Sequence, residues 1–98
     1  MKDNLCIVTL RLIAKDRNEL VLALSRVLPA TRNYQGCRYV NTYTRADNSQ
    51  EVILIQAWDS RFDQERYIQW RKETGDLDNL LGLLKEPPIT EFWDLNPA

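Results

Sequence analysis

Two stretches of this chain are apolar on both sides. Residues 5–13 (LCIVTLRLI) and 51–58 (EVILIQAW) carry the β-branched and aliphatic side chains of strands. Strand alternation throws successive side chains to opposite faces. In the first stretch Leu5, Ile7 and Ile13 share one face, and Cys6, Val8, Leu10 and Leu12 the other. In the second, Val52, Leu54 and Trp58 oppose Ile53, Ile55 and Ala57. A sheet of such strands needs cover on both faces, yet the chain has 98 residues and helix signals for one cover only. The other face is left as a large apolar patch, which marks an interface. A second copy related by a two-fold axis is the simplest partner. Against this, Thr9, Arg11, Asn41 and Gln56 interrupt the apolar pattern, and a merely mixed face needs no partner.

Between these stretches the punctuation is regular. Asp16 offers an N-cap with Glu19 three residues on, and Leu20, Leu24, Val27 and Leu28 recur at helical spacing with Val21 beside them. Pro29 is expected to fray or kink that helix near its end. Gly36 marks the turn out, and residues 37–45 (CRYVNTYTR) alternate as a second strand. Residues 46–49 (ADNS) are turn chemistry, so the second and third strands form a hairpin. Ser60 caps a second helix along which Phe62, Arg66, Tyr67, Ile68 and Trp70 lie. Gly75 interrupts it, and a short Leu-rich helix with Leu77, Leu80, Leu81 and Leu84 runs to Pro87-Pro88. Residues 89–95 (ITEFWDL) are the fourth strand. The expected architecture is α+β, β-α-β-β-α-β, with residues 1–98 forming a single domain.

Charge narrows the function. The net charge is -1, from 13 basic and 14 acidic side chains, interspersed rather than clustered. No field attracts nucleic acid or an anionic membrane, and no apolar run is long enough to span a bilayer. Residues 1–4 lead straight into the first strand with no apolar signal segment, so a cytoplasmic setting is expected. Cys6 and Cys37 have neither metal nor redox spacing and read as small buried hydrophobes. The chain contains no histidine. That removes the commonest general base, zinc ligand and proximal haem ligand. With three glycines, at 36, 75 and 82, neither a dinucleotide GxGxxG nor a phosphate loop can be built. Metal ligands and cofactors are therefore expected to be none.

The layout resembles the antibiotic biosynthesis monooxygenase family of the dimeric α/β-barrel superfamily. The likeness covers nearly the whole chain. It rests on Leu22-Ala23-Leu24, Gly36-Cys37, Tyr39 and Tyr43, Trp58-Asp59-Ser60, the Leu80 to Leu84 run and Pro87-Pro88, with Trp58-Asp59-Ser60 the sharpest piece. The resemblance implies a ferredoxin-like fold: a four-stranded antiparallel sheet in the order 4-1-3-2, paired with a second copy into a shared barrel. That order sets Cys6 and Cys37 two strand spacings apart, roughly 9–10 Å and beyond disulfide reach. Members of the family include cofactor-free oxygenases of phenols and quinols. Related barrels degrade haem, isomerise small metabolites or have no known activity, so the fold is better fixed than the reaction.

The resemblance also supplies candidate site residues. Trp58 matches a position that lines the pocket in haem-degrading relatives, and it serves equally well as core. Tyr67 falls where many members carry a histidine. A tyrosine is a poor base near neutral pH but can donate a hydrogen bond to a substrate oxygen or oxyanion. It reads otherwise as an amphipathic helix residue with its hydroxyl at the rim. Trp70 shares its helix face, as an aromatic wall for a flat ligand or as packing. Thr9 and Arg11 point to one side of the first strand, Thr9 near a polar position of haem-degrading relatives. Arg11 either faces a ligand anion or snorkels to the sheet edge. Asn41 lies between Tyr39 and Tyr43 on the second strand.

The catalytic candidates are thus Trp58, Tyr67 and Arg11, and the substrate-binding candidates Thr9, Asn41, Trp58, Tyr67 and Trp70. The expectation is that Trp58, Tyr67 and Trp70 line one cavity between sheet and helices, with Thr9 or Arg11 on its floor. Three functions compete: a cofactor-independent monooxygenase of a small aromatic or quinol compound, a non-catalytic dimeric ligand-binding protein, and an isomerase of a small oxygenated metabolite. A cavity lined by Trp58 and at least two polar side chains favours catalysis. One filled by Tyr67 and Trp70 favours those aromatics being simple packing.

Overall fold

The computed structural model describes residues 5–47 and 49–98. Strand β1 (Cys6–Ile13) is followed by helix α1 (Arg17–Arg32), the strand pair β2 (Cys37–Thr44) and β3 (Glu51–Trp58), helices α2 (Arg61–Thr74) and α3 (Asp76–Leu81), and strand β4 (Ile89–Trp93). The four strands form one antiparallel sheet in the order β2-β3-β1-β4, the ferredoxin-like arrangement. Of the turn at 46–49, Asn48 lies outside the described residues, as do residues 1–4 with the reading placed on them. Cys6 and Cys37 both pair with Trp58, from opposite sides, so they stand two strands apart, and both are free thiols.

Local signals explain the helices. Asp16 accepts a hydrogen bond from the Glu19 amide at 3.1 Å and starts α1, while the Ser60 hydroxyl accepts from the Asp63 amide at 3.1 Å and starts α2. Pro29 does not end α1. Its last turn is tied down on both sides: Arg32 donates to the Val40 carbonyl at 3.0 and 3.3 Å, and the Thr31 hydroxyl bonds to Tyr67. Gly75 closes α2 at a φ of 84°, the left-handed conformation that suits glycine. Helix α3 stops at Leu81 and β4 at Trp93, each shorter than its sequence pattern.

Both helical layers cover one face of the sheet. Leu20, Leu24, Leu28 and Thr31 of α1 are buried there. With Leu12, Ala14, Val40, Val52, Leu54 and Leu84 the leucines form the larger core. Cys6, Val8, Trp58 and Tyr67 form the smaller one. Among the described residues, none covers the opposite face. Strand pairing sets its residues in three rows: Tyr39, Ala57, Ile7 and Trp93; Asn41, Ile55, Thr9 and Glu91; Tyr43, Ile53, Arg11 and Ile89. Tyr39, Tyr43, Ile89 and Trp93 are each at least two-fifths exposed. Gln56, expected among the interruptions, is not on this face. It pairs with Val8 and Val40, points to the helices and is 4% exposed.

Candidate functional site

The sequence pattern of α2 suggests a polar, surface-lying helix, yet its buried stripe is Gln64, Tyr67 and Arg71. These lie at i, i+3 and i+7, one face of a helix. Each polar tip therefore has to be satisfied or open to a cavity. Arg71 donates from Nε to Tyr67 Oη at 2.8 Å, from Nη1 to Asp76 Oδ2 at 2.7 Å, and from Nη2 to the Val27 carbonyl at 2.6 Å and Thr31 Oγ1 at 3.0 Å. Four of the five guanidinium N–H donors are thus used. Tyr67 Oη and Thr31 Oγ1 lie 2.6 Å apart, and Thr31 Oγ1 also reaches the Val27 carbonyl at 3.5 Å. The network seals the end of a chamber of about 60 Å³ whose other walls include Leu10, Leu24, Leu54, Gln56 and Ile68.

That chamber adjoins a larger cleft of about 480 Å³, and Leu10, Ile68, Leu77 and Leu80 wall both. The cleft opens between α2, α3 and the β1–β4 edge, with Pro88, Thr90 and Phe92 on the sheet side and Gln64, Glu65, Gln69 and Lys72 on the helix side. Arg61 stacks over the Phe92 ring at 3.8 Å and holds the β4 edge against α2. The size and apolar lining suit a small flat ligand.

Trp58 is fully buried and lines neither chamber; its indole Nε1 donates to Gln56 Oε1 at 2.9 Å. Its ring packs against Tyr67 at 5.0 Å between centroids and against Tyr34 at 6.4 Å. Trp70 packs on Tyr34 at 5.2 Å and under Arg71 at 4.6 Å, outside both chambers. The expected wall of Trp58, Tyr67 and Trp70 is therefore a filled aromatic cluster, and only Tyr67 reaches the chamber. Its hydroxyl is buried with Thr31 and Arg71, not held at the rim.

Thr9, Arg11 and Asn41 lie on the opposite face of the sheet. Odd-numbered residues of β1 pair with Ala57, Ile55 and Ile53, while Val8, Leu10 and Leu12 face the helices. Thr9 and Arg11 thus form no floor to this cavity. Thr9 accepts from Trp93 Nε1 at 3.0 Å, Arg11 pairs with Glu51 at 2.9 Å, and Asn41 stands opposite Ile55. The sequence reading missed Gln56, Gln64, Thr31, Arg71 and Asp76. The i, i+3, i+7 spacing of Gln64, Tyr67 and Arg71 was the available signal.

Burial pushes the Cys6 and Cys37 thiols above their ordinary value, which leaves them protonated and poorly nucleophilic at neutral pH. Among the described residues no group of three Cys, Asp or Glu side chains is placed to hold a metal, and no helix is long and apolar enough to cross a membrane.

No protein-family model matches the chain, and no curated protein matches it. Solved structures do share its fold. Rv0793 from Mycobacterium tuberculosis is 23% identical, with 96% of this chain and 95% of that one aligned at a TM-score of 0.80. An antibiotic biosynthesis monooxygenase is 12% identical over 94% and 99% at 0.83. SnoaB, a cofactor-independent oxygenase from Streptomyces nogalater, is 11% identical over 99% and 97% at 0.82. At these identities the likeness establishes an antibiotic-biosynthesis-monooxygenase-like fold.

Proposed function

We propose that the chain is a homodimeric, cofactor-independent monooxygenase of a small aromatic or quinol compound. The carrying observation is the apolar cleft that narrows to a chamber ended by Tyr67, Arg71 and Gln56. The fold shared with a cofactor-independent oxygenase supports the reading. In this chemistry the substrate supplies the electrons. A deprotonated phenol or hydroquinone passes one electron to O₂, and the two radicals combine as a peroxide anion, which takes a proton from water to become the hydroperoxide. Loss of water then leaves one oxygen on the ring as a carbonyl. The protein contributes a dry cleft, hydrogen-bond donors for the developing oxyanion and exclusion of bulk water. Tyr67, beside the Arg71 cation, is the donor best placed for that oxygen. The proton leaves to water at the cleft mouth, since the chain has no histidine to take it.

The uncovered sheet face supports the dimer. Ile7, Ile53, Ile55, Tyr39 and Tyr43 give it an apolar surface that no other described residue covers. Two free cysteines favour a reducing compartment such as the cytoplasm.

One observation favours a second reading, a non-catalytic dimeric ligand carrier. The Tyr67 hydroxyl already has two partners, and no group in the chamber is a base at neutral pH. Oxygen uptake separates the two. Dihydroxynaphthalene or an anthrone in the presence of the protein is expected to consume O₂ faster than the spontaneous rate, and Tyr67→Phe to lose most of the excess. Ligand-dependent quenching of tryptophan fluorescence without any excess uptake assigns the carrier role.

A further inference from the structure

Two glutamine carboxamides remain unexplained by the network above. Gln56 is 4% exposed and Gln64 3% exposed. The indole of Trp58 can only donate, so its 2.9 Å bond to Gln56 fixes Oε1 toward Trp58 and turns Nε2 away. Nε2 has no partner among the described residues. The Gln64 side chain has none either; its backbone N–H alone is engaged, with the Ser60 carbonyl at 3.3 Å. Buried polar groups are nearly always paired, and a lost partner is costly. No side-chain nitrogen or oxygen among the described residues is both sealed from solvent and unpartnered. Both amides therefore meet open space, Gln56 in the inner chamber and Gln64 in the outer cleft.

The charge around them is already spent. Arg71, the one cation in the inner chamber, is engaged by Asp76, Tyr67, Thr31 and the Val27 carbonyl. Lys72 is exposed on the wall of the outer cleft, where a surface charge contributes little. A carboxylate, which carries its full charge in from water, would lose its hydration without gaining a free counter-charge, whereas a phenol enters neutral and ionises only once bound.

We propose that Gln56 and Gln64 are the specificity-determining residues of this cavity, and that its ligand is a flat aromatic carrying a neutral carbonyl oxygen, held by the Gln56 Nε2 amide, with Gln64 meeting a second polar group nearer the mouth. The proposal rests on the cleft being the ligand site, and deepens that reading by naming the head group.

Three bicyclic probes test the head group, tetralin, its ketone 1-tetralone and 1-naphthoate, and a fourth compound, 4-hydroxy-1-tetralone, tests Gln64. Affinities are read by tryptophan fluorescence and by calorimetry on the full chain. The expected order is 1-tetralone tightest, by roughly fivefold to tenfold over tetralin, the effect of one hydrogen bond in a dry site. Naphthoate is expected to bind more weakly than the ketone. Gln56→Leu should remove the ketone advantage and leave tetralin affinity within twofold. Gln64→Leu breaks no hydrogen bond of the free protein, so it keeps the fold even if Gln56→Leu disturbs Trp58. It should weaken 4-hydroxy-1-tetralone, which carries a second polar group, more than tetralone. Equal binding of tetralin and tetralone to the wild type, naphthoate binding tighter than tetralone, or loss of neither preference in the variants overturns the proposal while leaving the cleft a ligand site. Failure of all three probes to bind overturns the cleft assignment as well.

Discussion

The two faces of this sheet are made from the same strands and solve the same problem differently. On the helix side the buried polar tips are paired within the Arg71 network, joined as Gln56 is to Trp58, or aimed at a cavity. On the open side apolar side chains stand in ordered rows, broken by Thr9, Arg11 and Asn41, with Tyr39 and Trp93 at the outer positions. The first face spends its specificity inside the chain. The second holds a pattern that no described residue covers. Under the proposed function, ligand chemistry and assembly would fall on opposite sides of one 8-residue strand, β1.

The sharpest way to break this comparison is to charge the open face. Ile55→Glu should convert a dimer into a monomer in light scattering while circular dichroism stays unchanged, because an obligate interface here would bury on the order of 2,000 Å². A wild type already monomeric at micromolar concentration would show that the rows have no mate. On the other face, Arg71→Met should cost about 3 kcal/mol in urea unfolding, the low end for a buried pair, since Asp76 keeps a third of its side chain in water. Gly36→Ala should follow at roughly 2 kcal/mol. Gly36 has a φ of 92°, and an added Cβ would stand 2.6 Å from the Asp63 side chain at the start of α2. Trp58→Phe is expected to cost about 1–2 kcal/mol and keep the fold, with the Gln56 bond lost but most of the ring volume retained. The smallest effect belongs to the cysteines. Both should titrate only after denaturation, without reductant. Because burial raises the folded thiols, their contribution is complete below the ordinary value of 9.0 and lost as pH rises from there through the folded value. Unfolding curves at pH 8 and 10 read that slope.

Alternation made the strands and their faces legible, while the order of the sheet came from the resemblance. Val8, Leu10 and Leu12 against Ile7 and Ile13 needed only parity, and it is the pairing of Cys6 with Trp58 that sets Thr9 and Arg11 on the side opposite Trp58. The resemblance pulled them into one cavity, and the sheet does not permit it. Helix α2 was harder to read. Glutamine and arginine normally mark a solvent face, whereas Phe62, a natural core candidate, is 64% exposed. What buries Arg71 is a set of partners brought in from elsewhere: Thr31 and the Val27 carbonyl from α1, and Asp76 beyond the Gly75 turn. No local pattern encodes such a meeting.

Helix α3, which walls the cleft, has no buried residue of its own. It is clamped at its far end, where Lys15 donates to the Leu83 carbonyl at 3.0 Å and Lys85 to the Ile13 carbonyl at 2.8 Å. At its near end it is held by Asp76 on Arg71. The guanidinium that closes the chamber is thus also the latch of the wall. A ligand that entered the chamber and tightened or loosened Arg71 would shift any opening of α3 by the same free energy, and that opening would tune occupancy in return. Amide exchange between Leu77 and Leu81 would report on such a ligand without touching it.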